Sequence, residues 1–340
     1  MIQTMKITYK DVGQGDSILL EWQSSGKEKI AIIDCNKKGN SNPVLEHLIN
    51  KGYSEIELIV LSHPHRDHFS GLLQVLNYAE AKGIMIKNFA HTLKWSATNF
   101  WKYFEVSSSD SKLLSKTISK WGELNDKIIK RFHGLQDNVT LPLDDDLGLS
   151  LKFLSPCHRD AQEYQKIVEN DADKNIKEAS QAANYLSTVM LLSLGDLNVL
   201  FTADAEVFAL QNIIAQYSKL FKEKTFHLCQ LPHHGSFKNH LEEFWQNVKT
   251  NETHGKHAIA SAGKHRTYNH PSFEVLKHFH DEGYTLHCTN ILNGMKEYTD
   301  YLESITDASL NFEGGSFLAE EYRKSSDRVF TIRDNQIVLI

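Results

Sequence analysis

Strand-like and helix-like patterns alternate along this chain. Residues 56–61, Ile-Glu-Leu-Ile-Val-Leu, form an apolar, β-branched run with the length of a buried strand. Residues 29–36 form another, ending in Asp34-Cys35-Asn36, and residues 6–21 predict two strands around a turn holding Gly13 and Gly15. Residues 149–156, 226–231, 258–263, 284–289 and 336–340 continue the series, and residues 187–204 predict a hairpin turning at Gly195-Asp196. Helical spacing recurs at 42–51, with Pro43 in the first turn, at 69–82, and from Pro271 to about residue 282. Residues 92–141 show helical spacing of Trp95, Phe100, Trp101, Leu113, Leu114, Ile118, Trp121, Leu124, Ile128 and Ile129, which predicts an inserted helical segment. Alternating strands and helices of this kind predict an α/β fold.

Composition narrows the function classes only slightly. The chain has 340 residues, 41% hydrophobic and 24% charged, which is enough to bury a sizeable core. Its formal net charge of −6 gives no general attraction for nucleic acid or an anionic membrane, although a local basic groove remains compatible with it. No run approaches the roughly 20 apolar residues that span a bilayer, and the first residues show no signal-peptide pattern. Cys35, Cys157, Cys229 and Cys288 are widely separated and form no CxxC pair, so reduced thiols in a cytoplasmic protein are expected.

The chemistry concentrates at strand ends. Ser62-His63-Pro64-His65-Arg66-Asp67-His68 follows the strand at 56–61 and precedes a helix, so it lies on a turn at a strand's carboxyl end. Imidazole and carboxylate at these spacings suit Zn²⁺, Mn²⁺ or Fe. One ion cannot easily collect all four ligands from a single turn. Two can, with His63 and His65 on one and Asp67 and His68 on the other. Asp34, ending a buried strand, is expected to orient a ligating histidine from behind.

Ser-His-Pro-His-Arg-Asp-His resembles the HxHxDH signature of the metallo-β-lactamase superfamily. The resemblance implies a four-layer αβ/βα sandwich with a one- or two-metal site at the sheet edges. Asp11-Val12-Gly13-Gln14-Gly15-Asp16-Ser17 followed by a strand, and Pro232-His233-His234-Gly235-Ser236, look more narrowly like the ComEC-type branch, which includes hydrolase domains of DNA-internalisation proteins. Phosphorylcholine esterases are related. By this resemblance Thr202-Ala203-Asp204 supplies the carboxylate that bridges both metals. Its residue-level rival is a helix N-cap before residues 206–217. His234 is then the remaining ligand of the second metal, with His233 contacting substrate or standing behind the ligands. Asn269-His270-Pro271 resembles the branch's Gly-His-Pro element, with asparagine for glycine. His270 is therefore read as a proton-transfer or substrate group beside a helix N-terminus suited to anions. Lys264, His265 and Arg266 in the same loop, with Asn184 and Ser236, are read as substrate-binding.

The chain also departs from the pattern. The superfamily's third histidine for the first metal falls near Asn184, where none stands, and His158 is a substitute to test. One-metal operation stays open. The expected organisation is a hydrolase domain over 1–293, with the helical insertion at about 92–141 and an extension at 294–340 packed on it. The expected function is hydrolysis by a metal-activated hydroxide with two divalent ions, Zn or Mn, and Asp67, His233 and His270 as catalytic groups. A phosphodiester is the leading substrate, DNA or RNA within the branch, with no membrane. The alternatives are a small ester (phosphorylcholine ester, lactone or thioester) and a non-catalytic, metal-stabilised module with a partner protein in a larger assembly, such as antiphage defence.

Overall fold

The computed structural model describes residues 5–92, 104–171, 176–250, 256–307, 325–333 and 336–340. Its first sheet holds β1 (Met5–Tyr9), β2 (Ile18–Ser24), β3 (Lys27–Ile33), β4 (Glu55–Leu61), β5 (Met85–His91) and β6 (Phe132–Gly134). The second holds β7 (Thr140–Asp144), β8 (Leu149–Phe153), β9 (Met190–Leu194), β10 (Leu197–Phe201), β11 (Leu228–Gln230), β12 (Lys256–Ala260) and β13 (Tyr284–Cys288). β14 (Arg328–Arg333) and β15 (Gln336–Leu339) return to the first sheet, giving the orders β15-β14-β1-β2-β3-β4-β5-β6 and β13-β12-β11-β10-β9-β8-β7.

Strands β3 and β4 show why the sheets stack. In β3, Ala31 and Ile33 join the core between the two sheets, while Ile30 and Ile32 join the core beneath the outer helices. In β4, Leu58 and Val60 face the inner core and Ile59 and Leu61 the outer one. A period-2 pattern that is apolar on both faces demands cover on both faces. Helices Pro43–Lys51, Leu72–Lys82 and Ser108–Leu124 lie over the first sheet, contributing Val44, Leu48, Val75, Leu76, Leu114 and Trp121. Helices Val207–Glu223, Phe273–Asp281 and Gly294–Asp307 cover the second, through Leu210, Ile213, Val275, Leu276, Met295 and Tyr298. The result is four layers, helix–sheet–sheet–helix.

One expectation needs correction. The stretch at 92–141 is not wholly helical. Its described part contains the helix Ser108–Leu124, then β6 and the start of β7. Ile128, Ile129 and Phe132 recur at spacing compatible with a helix, but β6 pairs parallel with β5 and Lys130 bonds to Ile86, so tertiary pairing overrides the spacing. Trp95, Phe100 and Trp101 lie outside the described residues. The polar stretch at 157–181 contains the helices His158–Asp171 and Ile176–Ala182, and Ala161, Tyr164 and Val168 are buried in the outer core of the first sheet. The sequence reading also missed β14, which pairs antiparallel with β1. No helix among the described residues is long and apolar enough to cross a membrane.

Candidate metal centre

Parallel pairing of β3 with β4, and of β10, β11 and β12 with one another, brings their carboxyl ends to one edge. Asp34 follows β3, the turn of His63 to His68 follows β4, Asp204 follows β10, His233 and His234 follow β11, and Ser261 follows β12. Residues far apart in sequence therefore meet. His63, His65 and Asp204 form one cluster of ligand atoms within 4.8 Å of one another, and Asp67, His68 and His234 form a second. Asp16, Asp204 and His234 form an overlapping third.

The backbone is bent to make this possible. Asp34, Ala203, His233 and His234 hold φ of 59°, 44°, 48° and 59°, in the left-handed region that L-residues rarely occupy. Four such residues around one site store strain that the surrounding packing must hold. Gly15 is required for closure. Its φ is +119°, and a Cβ there would lie 2.2 Å from the Asp67 carbonyl oxygen. The bare backbone lets the Asp16 N–H donate to that carbonyl at 3.1 Å, while the Gly15 carbonyl accepts from Ser261 Oγ at 2.7 Å.

The hydrogen bonds determine where each imidazole keeps its proton. His68 Nδ1 lies 2.7 Å from Asp34 Oδ2, and His234 Nδ1 lies 2.7 Å from the Ser261 carbonyl. Both partners only accept, so both Nδ1 atoms carry hydrogen. In the neutral ring Nε2 is then a lone pair, and in both residues it is buried without a hydrogen-bond partner. Each of these nitrogens lies 3.4 Å from Asp204 Oδ1, itself buried and unpartnered. On the other side, His65 Nε2 donates to the Ser180 carbonyl at 2.8 Å. Ser62 Oγ donates to Asp34 Oδ2 at 2.6 Å and so accepts from His63 Nδ1 at 3.2 Å. That leaves the lone pairs of His63 Nε2 and His65 Nδ1 facing each other at 3.2 Å. Asp204 Oδ2 stands 3.6 Å from His63 Nε2.

Lone pairs converging in a buried space repel one another unless a proton or cation lies between them. The separations match the roughly 3.4 Å edge of a tetrahedron whose metal–ligand bonds are about 2.1 Å. The donor set of imidazole and carboxylate therefore fits divalent transition metal. His63 and His65 would hold one ion, Asp67, His68 and His234 the other, and Asp204 both.

The titration of these groups follows from the same contacts. Burial holds His63 well below its usual value, with the neighbouring His68 adding to the effect, and burial likewise lowers His65. Burial also opposes charge on His68 and His234. There the carboxylates outweigh it, Asp204 and Asp34 raising His68 well above its usual value and Asp204, Asp67 and Asp16 raising His234 to about 9. Burial lifts Asp16 to about 6 against the pull of His234 and His68.

Other expected residues are placed as follows. Asp34 accepts from both Ser62 and His68, in the orienting position expected for it. Asp204 is not a helix N-cap, because the helix after it begins at Val207 with Glu206 in the cap position. His233 Nε2 lies 3.5 Å from Asp204 Oδ2 with Nδ1 buried and unpartnered, so it faces the carboxylate from the side of His63's oxygen. Ser236 is buried and closes the histidine turn through its N–H to the His233 carbonyl. Asn184 donates to Glu206 Oε1 at 3.2 Å and belongs to no hydrogen bond with the histidines among the described contacts. His158 is exposed at the start of its helix and lies in none of the ligand clusters.

The anion site expected at Pro271 needs correction. The helix begins at Phe273, with Ser272 in the cap position and Glu274 in its first turn, so the positive end is set back from His270 and carries a carboxylate. His270 instead packs its ring 5.5 Å from that of His233. Burial, with His233 and His234 nearby, lowers its pKa to about 4, so it is a neutral imidazole at pH 7. Lys264, His265 and Arg266 are exposed on the same loop.

Sequence reasoning missed three supports. Gln230 Nε2 donates to Asp16 Oδ2 at 2.8 Å, and its Oε1 accepts from the Thr202 and Ala203 N–H groups, tying two strand ends together. The Ser180 carbonyl leaves no trace in residue type. Glu105 accepts from the Arg66 N–H, and burial and the nearby Asp67 raise its pKa to about 8.

A family comparison matches residues 11–152 to the metallo-beta-lactamase superfamily. The fold is the metallo-β-lactamase sandwich. Among solved structures, the metallo-beta-lactamase fold protein YhfI from Bacillus subtilis is similar at 12% identity and a TM-score of 0.45, over 84% of this chain and 95% of that one. A diphosphatase of the PhnP family gives 11% and 0.36, over 75% and 85%. Zn²⁺-bound PqqB from Methylobacterium extorquens gives 14% and 0.33, over 63% and 58%. No curated protein matches the chain.

Proposed function

We propose that this protein is a metal-dependent hydrolase that cleaves phosphodiesters. The observation that carries the reading is the inward convergence of four imidazole nitrogens around Asp204, with every outward nitrogen held by a hydrogen-bond acceptor. Divalent ions there would supply Lewis acidity and lower the pKa of water to about 7. The Asp67 side chain is 35% exposed, against 3% or less for His63, His68, His234 and Asp204, so substrate and water approach from its side. Asp16 Oδ1 lies 3.9 Å from His234 Nδ1, and its Oδ2 accepts from Gln230 Nε2 at 2.8 Å. Neutral His270 lies on the rim, where its N–H group can stabilise charge developing on a phosphoryl or leaving-group oxygen. Exposed Lys264 and Arg266 favour an anionic substrate over a neutral lactone or thioester.

The reading is tested by assaying one metal-loaded preparation, with added Mn²⁺ or Zn²⁺, on labelled oligonucleotide, a small chromogenic phosphodiester and a carboxylic-ester panel. Phosphodiester turnover that disappears in Asp67→Ala is the expected result. Turnover of carboxylic esters alone would transfer the site to ester chemistry. No turnover on any substrate, with metal bound, would favour the non-catalytic alternative.

A further inference from the structure

The two halves of the metal centre are braced from different places. His68 and His234, which would hold the second ion, are fixed by the Asp34 carboxylate and the Ser261 carbonyl, and both groups stand at strand ends of the sandwich. His65, which would hold the first ion with His63, is fixed from outside the sheets. Its Nε2 donates to the Ser180 carbonyl at 2.8 Å, on the helix Ile176–Ala182. The peptide that joins it to Arg66 is held by the inserted segment, where the Glu105 carboxylate accepts the Arg66 N–H.

These two anchors are tied to each other. Ser180 Oγ donates to the Phe104 carbonyl at 2.8 Å, and Ser111 Oγ donates to the Glu105 carbonyl at 3.1 Å. Phe104 is fully buried and stacks on Tyr164 of the helix His158–Asp171, with centroids 5.7 Å and planes 24° apart. Asp110 Oδ1 lies 2.9 Å from Arg66 Nη1, so the insertion grips Arg66 by its side chain as well. Buried Ser180 thus meets His65 with its carbonyl and the insertion with its hydroxyl.

The short helix Arg66–Phe69 shows why an outside acceptor is needed. His65 takes its cap position but makes no capping hydrogen bond, because one ring nitrogen is committed to Ser180 and the other faces His63. The first N–H groups of a helix have no partner within it. Glu105 supplies one for Arg66 and so fixes the backbone on which the His65 ring turns, while the Ser180 carbonyl fixes the ring itself. The other ligands do not depend on these groups. His63 Nδ1 faces Ser62 Oγ, which leads to Asp34, and the Asp67 carbonyl accepts from the Asp16 N–H at 3.1 Å. The first ion also has fewer residues to hold it, His63, His65 and Asp204, against Asp67, His68, His234 and Asp204 for the second. We infer that Ser180 and Glu105 are positioning residues for the first ion alone, so that the inserted segment sets the occupancy of that ion without setting that of the second. The inference rests on the metal-binding part of the hydrolase reading and not on its substrate.

The test loads the full chain with Zn²⁺ and follows release of each ion to a chromogenic chelator, without substrate. The parent should release two ions with separate affinities. Ser180→Ala and Glu105→Ala should each weaken one ion roughly 10- to 100-fold, the usual scale for a group behind a ligand, and leave the other within about twofold. Glu105→Gln should hold both ions as the parent does, since its amide oxygen still accepts from the Arg66 N–H. His65→Ala identifies the ion. It should release the same one, and adding Ser180→Ala or Glu105→Ala to it should leave the affinity of the remaining ion unchanged. Ser180→Ala removes a single hydroxyl and keeps the test open if Glu105→Ala does not fold. The inference is overturned if both ions weaken together, as general loosening of the fold would produce, if neither changes, if Glu105→Gln is as weak as Glu105→Ala, or if the parent holds a single ion. Turnover is read separately. Selective loss of one ion from a protein whose parent cleaves no substrate leaves the inference standing and removes the hydrolase reading. Phosphodiester cleavage by the parent, with both ions weakened together in the variants, does the reverse.

Discussion

Two groups of largely buried histidines in this protein have opposite electrostatic surroundings. At the strand ends, His63, His68 and His234 are buried among Asp16, Asp34, Asp67 and Asp204. Between the sheets, His257 of β12 and His287 of β13 lie 3.0 Å apart, Nδ1 to Nε2, with Phe330 against both rings. The strand-end group contains carboxylate oxygen and imidazole nitrogen without hydrogen-bond partners. The other pair is hydrogen-bonded ring to ring, and burial, with His257 and Arg328 nearby, lowers His287 to about 3. Burial alone therefore does not make a histidine functional. Imidazole nitrogens and carboxylate oxygens left facing one another require a proton or a metal ion between them, and that requirement distinguishes the two groups.

The sharpest way to break the comparison is to remove a ligand. Asp67→Ala should lower hydrolysis roughly 10³-fold or more while the fold persists, because the residue sits at the sheet edge. Metal content and thermal unfolding of the same preparation check this. Parental turnover, or a protein that no longer folds, would contradict it. His270→Ala should keep its metals and lose on the order of 10²-fold in rate, the scale of one donor to developing charge. Loss of metal together with rate would make His270 a ligand.

Asp34→Asn tests the hydrogen bonds behind the metal centre. It keeps the shape but weakens the acceptor of His68 Nδ1 and of Ser62, so metal affinity should fall about 10- to 100-fold. Competition with a chelator measures it, and unchanged affinity would show that His68 needs no orienting.

The smallest effect belongs to the other histidine pair. The folded protein keeps His287 neutral down to about 3, whereas an unfolded histidine titrates near 6.5, so between those values the unfolded chain binds more protons. Stability is complete above about pH 6.5 and falls as pH drops through that window, by roughly 2 kcal/mol at pH 5. Urea unfolding at pH 7.5 and pH 5 should show His287→Leu losing less than the parent by about this amount. Equal losses would mean that His287 is not held neutral. Acid stripping of the metal centre affects both proteins alike and cancels in the difference.

Much of this was readable from residues alone. The strand at 56–61, the hairpin at 187–204 and the helix at 42–51 appear within a residue or three of their expected positions, because each couples a strong apolar period to clear turn chemistry. The expected ligands stand next to strand ends for the same reason. The insertion was over-read as helix because β6 and the start of β7 are short edge strands whose pairing outweighs local spacing. The helix after His270 was begun too early because proline in a first turn is only a local signal.

By itself, the sequence determined the donor chemistry, the order of the motifs and the alternation of elements that makes a layered sandwich, since these depend on residue type and neighbours in the chain. Tertiary structure alone decided which nitrogen keeps its proton. His65 is pinned by a carbonyl 115 residues away, and Gly15 is joined to Ser261 across 246. It also decided that His233 faces Asp204, that Gln230 ties two strand ends, and that Tyr268 lies parallel to His265 and His270. Contacts of that range follow from sheet register and from backbone held at positive φ, and neither is encoded in the identity of any single residue.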